Sequence, residues 1–151
     1  MNNSNDTAYA TVTVYDNATL KRPMLESFTS STCGPCVAGN QNVSAVTANY
    51  ALDQYSILKY QMSWPGSGDP YYTQEGGDRR NYYSVNAVPD LVVDGNFWQD
   101  NSTALTAQVM DDALAIPAFV ELSSFFTVDN QTVDINAVSY THLTLPTIAV
   151  V

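Results

Sequence analysis

Cationic residues are scarce in this chain: five Lys and Arg stand against fifteen Asp and Glu, a formal net charge of -10. That balance argues against nucleic acid as a partner, because phosphate-backbone binders cluster Lys and Arg on one face. Acidity of this kind serves mainly solubility. Long apolar runs are missing as well. No stretch approaches the roughly 18 residues that span a bilayer, so no transmembrane segment is expected. The start, Met1 to Ala10, is polar and lacks the basic-then-apolar pattern of an export signal. Histidine occurs once, at His142, and cysteine twice, at Cys33 and Cys36. Schemes that need an imidazole base have only His142 to draw on. A tetrahedral zinc site needs more ligands than these residues supply, and no bound cofactor is implied.

What is present suffices for a folded domain: 151 residues, 45% apolar and 11% aromatic, fit a single core with a remnant beside it. The tail is set apart. Val138 to Thr147, VSYTHLTLPT, resembles the translation of a transposase-end sequencing adaptor, so 138–151, with His142, is excluded from fold reasoning. The chain is accordingly expected to be truncated on its C-terminal side.

Tyr9 to Asp16, YATVTVYD, alternates β-branched and aromatic residues and reads as a strand. Pro23 to Ser30 is a second strand, followed at once by both cysteines. From Pro35 to about Asn49, Val37, Ala38, Val43, Val46 and Tyr50 approximate a helical period, with Gly34 and Pro35 suited to a helix start. Ser56 to Ser63 is a third strand. A Gly/Pro-rich loop, WPGSGDPYYTQEGG, leads to a short helix at Asp78 to Val85. Leu91 to Val93, an Asp-Gly turn at Asp94 and Gly95, and Asn96 to Gln99 form a hairpin. Ser102 to Ile116 is a helix capped by Asn101 or Ser102, with Leu105, Val109, Ala113 and Ile116 on one stripe. This order implies a mixed sheet with helices packed on it, an α/β fold. After Pro117 the pattern turns all-β, with a hairpin expected at Thr127 to Ile135.

The chemistry lies in Cys33-Gly34-Pro35-Cys36. Between a strand end and a helix start, a Cys33 thiolate is favoured by unpaired helix N–H groups and the macrodipole. Cys36, one turn later, can resolve a mixed disulfide by attacking the sulfur of Cys33. The bland alternative is a structural staple, although so short a loop constrains the unfolded chain little.

The strand, CGPC, the helix and the later NAVPDLVVDG together resemble the thioredoxin fold over Lys21 to Ile116. In that family a cis-proline faces the disulfide, and Val88 and Pro89 match the position. The resemblance implies that Val88 backbone atoms pair with an extended substrate segment laid across Cys33. More narrowly, KRPMLESFTSSTCGPC, KYQMSWPGSGDPYYTQEGGDRRNYY and VPDLVVDG resemble the thioredoxin-like domain of secreted or outer-membrane-associated proteins of Bacteroidota, which often carry further β domains. The resemblance implies thiol:disulfide exchange with extracytoplasmic protein or peptide thiols and disulfides, an unidentified redox partner, and a periplasmic, outer-membrane-associated or secreted location. It divides the chain into an N-terminal strand or leader segment (1–20), a thioredoxin-like domain (21–116), the start of a truncated β domain (117–137) and the tail (138–151). Two positions depart from the family: Ser27 stands where thioredoxins carry a buried carboxylate, with Glu26 on the opposite face of the strand, and Thr32 replaces the aromatic residue before the first cysteine.

Trp64, Tyr71 and Tyr72, leaving the same sheet edge as Cys33, either line a substrate groove or pack the loop onto the body. Asp69, Glu75 and Asp78 fit no calcium loop; Arg79 and Arg80 are expected to pair with them or cap the short helix. The Asp94 to Asp100 segment reads as a turn rather than a metal site. The rival to exchange is a secreted or surface binding module that keeps the scaffold, with Cys33–Cys36 as a permanent disulfide. An exposed Cys33 facing a cis-Pro89 favours exchange; a buried pair or a trans-Pro89 favours the binding module.

Overall fold

A computed structural model describes residues 18–141, so the strand expected at 9–16 and His142 lie outside the described residues. Two compact units are present: Leu20–Pro117, and Thr19 with Ala118 onward.

In the first unit, the strand expected after Pro23 is β1, Met24–Thr29, buried at every position but the first. Alternation sends Leu25 to one face and Glu26 and Phe28 to the other. Both edges of β1 are paired. β2, Ser56–Gln61, runs parallel to it from Met24↔Ser56 to Thr29↔Gln61. β3, Asp90–Val93, runs antiparallel from Leu25↔Val93 to Phe28↔Asp90. β4, Trp98–Asp100, returns along β3 after the Asp-Gly turn, where Asp94 and Gly95 take φ of 50° and 75°. Left-handed backbone at both positions is what an Asp-Gly hairpin turn requires. The Asp94 carboxylate also accepts from Met24 N–H at 2.9 Å and pairs with Lys21 at 2.6 Å. The sheet order β2-β1-β3-β4 makes this a mixed four-stranded α/β unit, as the element order implies.

Helices cover both faces. On one, Leu25, Leu91 and Val93 pack against Val43 of α1 (Cys36–Thr47) and Met110 and Ala113 of α3 (Ala107–Ala115). On the other, Phe28, Met62, Val85 and Val92 pack with Tyr83, at the end of α2 (Gln74–Tyr82). Burying such side chains contributes roughly 1.5–3 kcal/mol each, so the two clusters fix the sheet between its helices.

Three helix boundaries differ from the sequence expectation. α1 starts at Cys36, with Pro35 as its N-cap, and ends at Thr47. α2 begins at Gln74 rather than Asp78 because the Thr73 hydroxyl accepts from Gly76 N–H at 3.2 Å, and it stops at Tyr82. The expected helix 102–116 is broken: Ser102–Ala104 is a 3-10 turn capped by Asn101, Leu105 is extended, and Thr106 caps α3 through Val109 N–H. Met110 is fully buried in the stripe, while Ile116 is 37% exposed and leaves it.

In the second unit, β5 (Val120–Asp129) and β6 (Thr132–Thr141) pair antiparallel along their whole length. The hairpin is longer than the expected 127–135, and it includes Val138 to Thr141. Thr19 and Ala118 form an antiparallel bridge. Leu122, Phe126, Val128, Val133 and Ile135 are all more than half exposed, and the register puts them on one face of the ribbon. No helix among the described residues is long and apolar enough to cross a membrane.

Candidate functional site

The chain leaves β1 in a tight turn, closed by Cys33 N–H donating to Ser30 O at 3.1 Å. Cys33 and Cys36 are joined as a disulfide, with Cα atoms 5.3 Å apart. Cys36 is the first residue of α1, and its N–H points to Cys33 Sγ at 3.2 Å. An N–H aimed at a sulfur gains strength when that sulfur becomes an anion, so this is the local form of the helix-terminus effect expected for Cys33. Cys33 is 4% exposed and Cys36 1%. Gly34 has open space where a side chain would be, and Gly34, Pro35 and Val37 are exposed, so the residues between and after the cysteines face solvent.

The structure brings Val88 and Pro89 to this pair. Val88 O lies 3.5 Å from Cys33 Sγ; the disulfide sulfur has no proton to donate, but a Cys33 thiol would have one. The Val88–Pro89 peptide is cis. The two expectations that separate exchange from a staple thus point in different directions: Pro89 is cis, and Cys33 is nearly covered.

Gly39 was not singled out in the sequence, yet it decides how closely α1 approaches Pro89. A methyl group there would meet Pro89 Cγ at 2.8 Å, Pro89 Cβ at 2.9 Å and Ser102 Cβ at 3.1 Å. A proline ring cannot swing aside. Gly39→Ala should therefore lose about 2 kcal/mol through overpacking, despite the roughly 1 kcal/mol that alanine adds in helix propensity. Urea unfolding of the two proteins measures it; a net gain in stability would mean that α1 and Pro89 have room to part.

The loop after β2 is stitched to the turn before Cys33. Asp69, 8% exposed, accepts from Ser31 N–H at 2.6 Å and from Tyr71 N–H at 2.9 Å. These two backbone donors hold its carboxyl below the usual aspartate range. The Thr32 hydroxyl donates to Pro65 O at 2.6 Å. Trp64 packs at the edge of the Phe28 cluster, under the Arg80 guanidinium at 5.5 Å. With Met62, Ser63, Tyr72 and Arg80 it lines a cleft of about 120 Å³ whose lining includes neither cysteine. Tyr71 is 81% exposed.

Arg79 and Arg80 do not pair with Asp69, Glu75 or Asp78. Arg79 reaches across to Glu26, with Nε donating to Oε1 at 2.7 Å and Nη2 to Oε2 at 2.9 Å. Arg80 Nε donates to Val85 O at 2.6 Å. Glu26 is 2% exposed and also accepts from the Tyr60 hydroxyl at 3.0 Å and the Tyr83 hydroxyl at 2.6 Å. Burial pushes its pKa up, but the Arg79, Tyr83 and Tyr60 donors outweigh it and hold the carboxyl below the ordinary glutamate value. The same burial, with the Glu26 hydrogen bond, pushes Tyr83 up to about 12. No sequence signal links residues 53 positions apart; a charge inside the apolar pattern of β1 was the only available hint that Glu26 needed a partner.

Asp90, next to Pro89, is pushed up to about 6 by burial, with the Asp100 charge adding to this and a Gln99 hydrogen bond opposing it. Its folded-state pKa exceeds the unfolded value, so the native state binds the proton more tightly. Its contribution is favourable below about pH 4 and is lost as pH rises through about 6. Asp90→Asn should therefore stabilise the protein at pH 7 by about 2 kcal/mol and leave it nearly unchanged at pH 4. Paired urea melts at the two pH values test this; an equal effect at both would refute it.

Neither a protein-family model nor a curated protein matches the chain. Among solved structures, the chain is similar in fold to a crystal structure of a structural-genomics target protein from Agrobacterium tumefaciens. The TM-score is 0.55 at 16% identity, over 80% of this chain and 68% of that one. At that identity the likeness concerns the fold alone, and it accords with an α/β architecture.

Proposed function

We propose that Lys21 to Ile116 is a thioredoxin-like domain that exchanges disulfides with extracytoplasmic protein substrates, with Cys33 as nucleophile, Cys36 as resolving thiol and Val88-Pro89 as the platform for the substrate backbone. The observation that carries the reading is the Cys36 N–H directed at Cys33 Sγ at 3.2 Å, at the start of α1. In the reducing direction, the Cys33 thiolate attacks one sulfur of a substrate disulfide, forming a mixed disulfide and releasing the other sulfur as a thiolate that takes a proton. The Cys36 thiolate then attacks Cys33 Sγ, the substrate's second thiol leaves, and the domain ends oxidised. An unidentified dithiol partner returns it to the reduced state. The Gly34-Pro35 pair resembles that of reducing members, and the potential relative to the compartment sets the direction.

A second reading, a binding module whose disulfide is permanent, is favoured by one observation: Cys33 is only 4% exposed. Equilibration of the full chain in glutathione buffers, with turnover in insulin reduction, separates the two. Exchange predicts a potential in the range of roughly -270 to -120 mV together with turnover. A potential below about -300 mV without turnover would make the disulfide a staple.

A further inference from the structure

The turn that carries Cys33 is held from outside by a carboxylate that the exchange chemistry above does not use. Asp69 Oδ2 accepts Ser31 N–H at 2.6 Å, inside the turn that Cys33 N–H closes on Ser30 O. Asp69 Oδ1 takes Tyr71 N–H, and Asp69's own N–H donates to Met62 O at 2.9 Å. The carboxylate is therefore fixed at two points and the backbone that carries it at a third. Thr32 is tied to the same loop through Pro65 O. Among the described hydrogen bonds and ion pairs, two other charged groups approach this end of β1 and α1: Asp90, opposite Phe28 and next to Pro89, which accepts from Gln99 at 3.2 Å, and Lys59. Lys59 Nζ donates to Asn40 Oδ1 at 3.1 Å, and Asn40 in turn donates to Thr29 Oγ1. Glu26 and Arg79 lie on the face of Phe28, away from α1.

We propose that Asp69 is a positioning residue for the disulfide: through Ser31 N–H it sets the Ser30–Cys33 turn, and it fixes a negative charge on that turn, two residues before the sulfur that becomes a thiolate. The inference rests on Cys33 being the reactive thiol. Two consequences follow. The turn keeps Cys33 Sγ between Cys36 N–H and Val88 O, and the anion opposes the Cys36 N–H by disfavouring a second negative charge nearby. Asp69 thus biases the pair toward the disulfide and away from the thiolate.

The test uses Asp69→Asn, which removes the charge and keeps one of the two acceptor oxygens, and Asp69→Ala, which removes both. Two readouts are taken on the full chain: the pH midpoint of iodoacetamide alkylation of reduced Cys33, and the equilibrium protein disulfide + 2 glutathione ⇌ protein dithiol + glutathione disulfide. Asp69→Asn should shift the alkylation midpoint to lower pH and move the equilibrium three- to tenfold toward the dithiol, with a folded protein whose melting temperature falls by the loss of one backbone acceptor. Asp69→Ala should also slow the insulin-reduction step. Unmoved midpoint and equilibrium in a folded Asp69→Asn protein would overturn the proposal, as would movement toward the disulfide. Loss of folding in both variants would overturn it too, making Asp69 a residue of the fold. Neither readout requires turnover, so a wild type inactive on insulin defeats the exchange reading without deciding this one.

Discussion

Arg79→Met should lower the stability of the protein by about 2 kcal/mol at pH 7, less than the roughly 3–5 kcal/mol lost when one partner of a fully buried ion pair is removed, because the Arg79 side chain is 40% exposed and solvent screens it. Glu26, 2% exposed, would keep the Tyr60 and Tyr83 hydroxyls and lose both guanidinium bonds, leaving a buried charge without a countercharge. Against a typical total of about 5–15 kcal/mol, that is a large share. The pH dependence gives the more specific signature. In the wild type the Glu26 pKa is held below 4.5, so its contribution is present above that value and lost as pH falls through the folded pKa. In Arg79→Met burial is opposed only by the two tyrosine donors, and the folded pKa should rise. The loss relative to the wild type should therefore grow as pH rises from 4 to 8. Urea unfolding from pH 4 to 8, expressed as mutant minus wild type, isolates this from the other carboxylates. A difference that does not change with pH would show that Glu26 does not need Arg79. Glu26→Gln placed on Arg79→Met should recover part of the loss, because a neutral amide has no charge to bury.

Cys33→Ser should reduce insulin-reduction turnover to the uncatalysed level, because serine at neutral pH supplies no thiolate. Cys36→Ser should instead retain the first step and fail at the second, accumulating a covalent mixed disulfide between Cys33 and the substrate. Non-reducing electrophoresis and mass spectrometry distinguish the two, and the asymmetry tests the assignment of roles. Trapping by Cys33→Ser rather than Cys36→Ser would interchange nucleophile and resolving thiol. Symmetric loss without any adduct would point to the staple. Of the two, Cys36 is the more enclosed, at 1% exposed against 4% for Cys33.

The strands were legible because each carries a local signal: β-branched and aromatic residues in β1 and β2, and Asp-Gly between β3 and β4. The cysteines were legible for the same reason, since strand, CGPC and helix are adjacent in the chain. The break at Leu105 and Thr106 was not, because neither glycine nor proline marks it. Thr106 is a legitimate cap that a continuous apolar stripe concealed. α2 was placed too late because Gly76 and Gly77 lower helix propensity. Gly77 is there because the Tyr72 hydroxyl lies where its side chain would go. The partners of Arg79 and Asp69 depend on which loop folds over which strand, and single-sequence periodicity contains no record of that. Ser27 and Glu26 show both sides of the matter. Their opposite facing followed from alternation, while the guanidinium and two phenols that receive Glu26 came only with the fold.

β1 is bonded along both edges and covered on both faces, and the CGPC turn begins within four residues of its end. Interior strands of this kind release their amide protons to solvent only when the whole unit opens. The disulfide is therefore suspended from what hydrogen exchange should find to be the most persistent segment of the molecule.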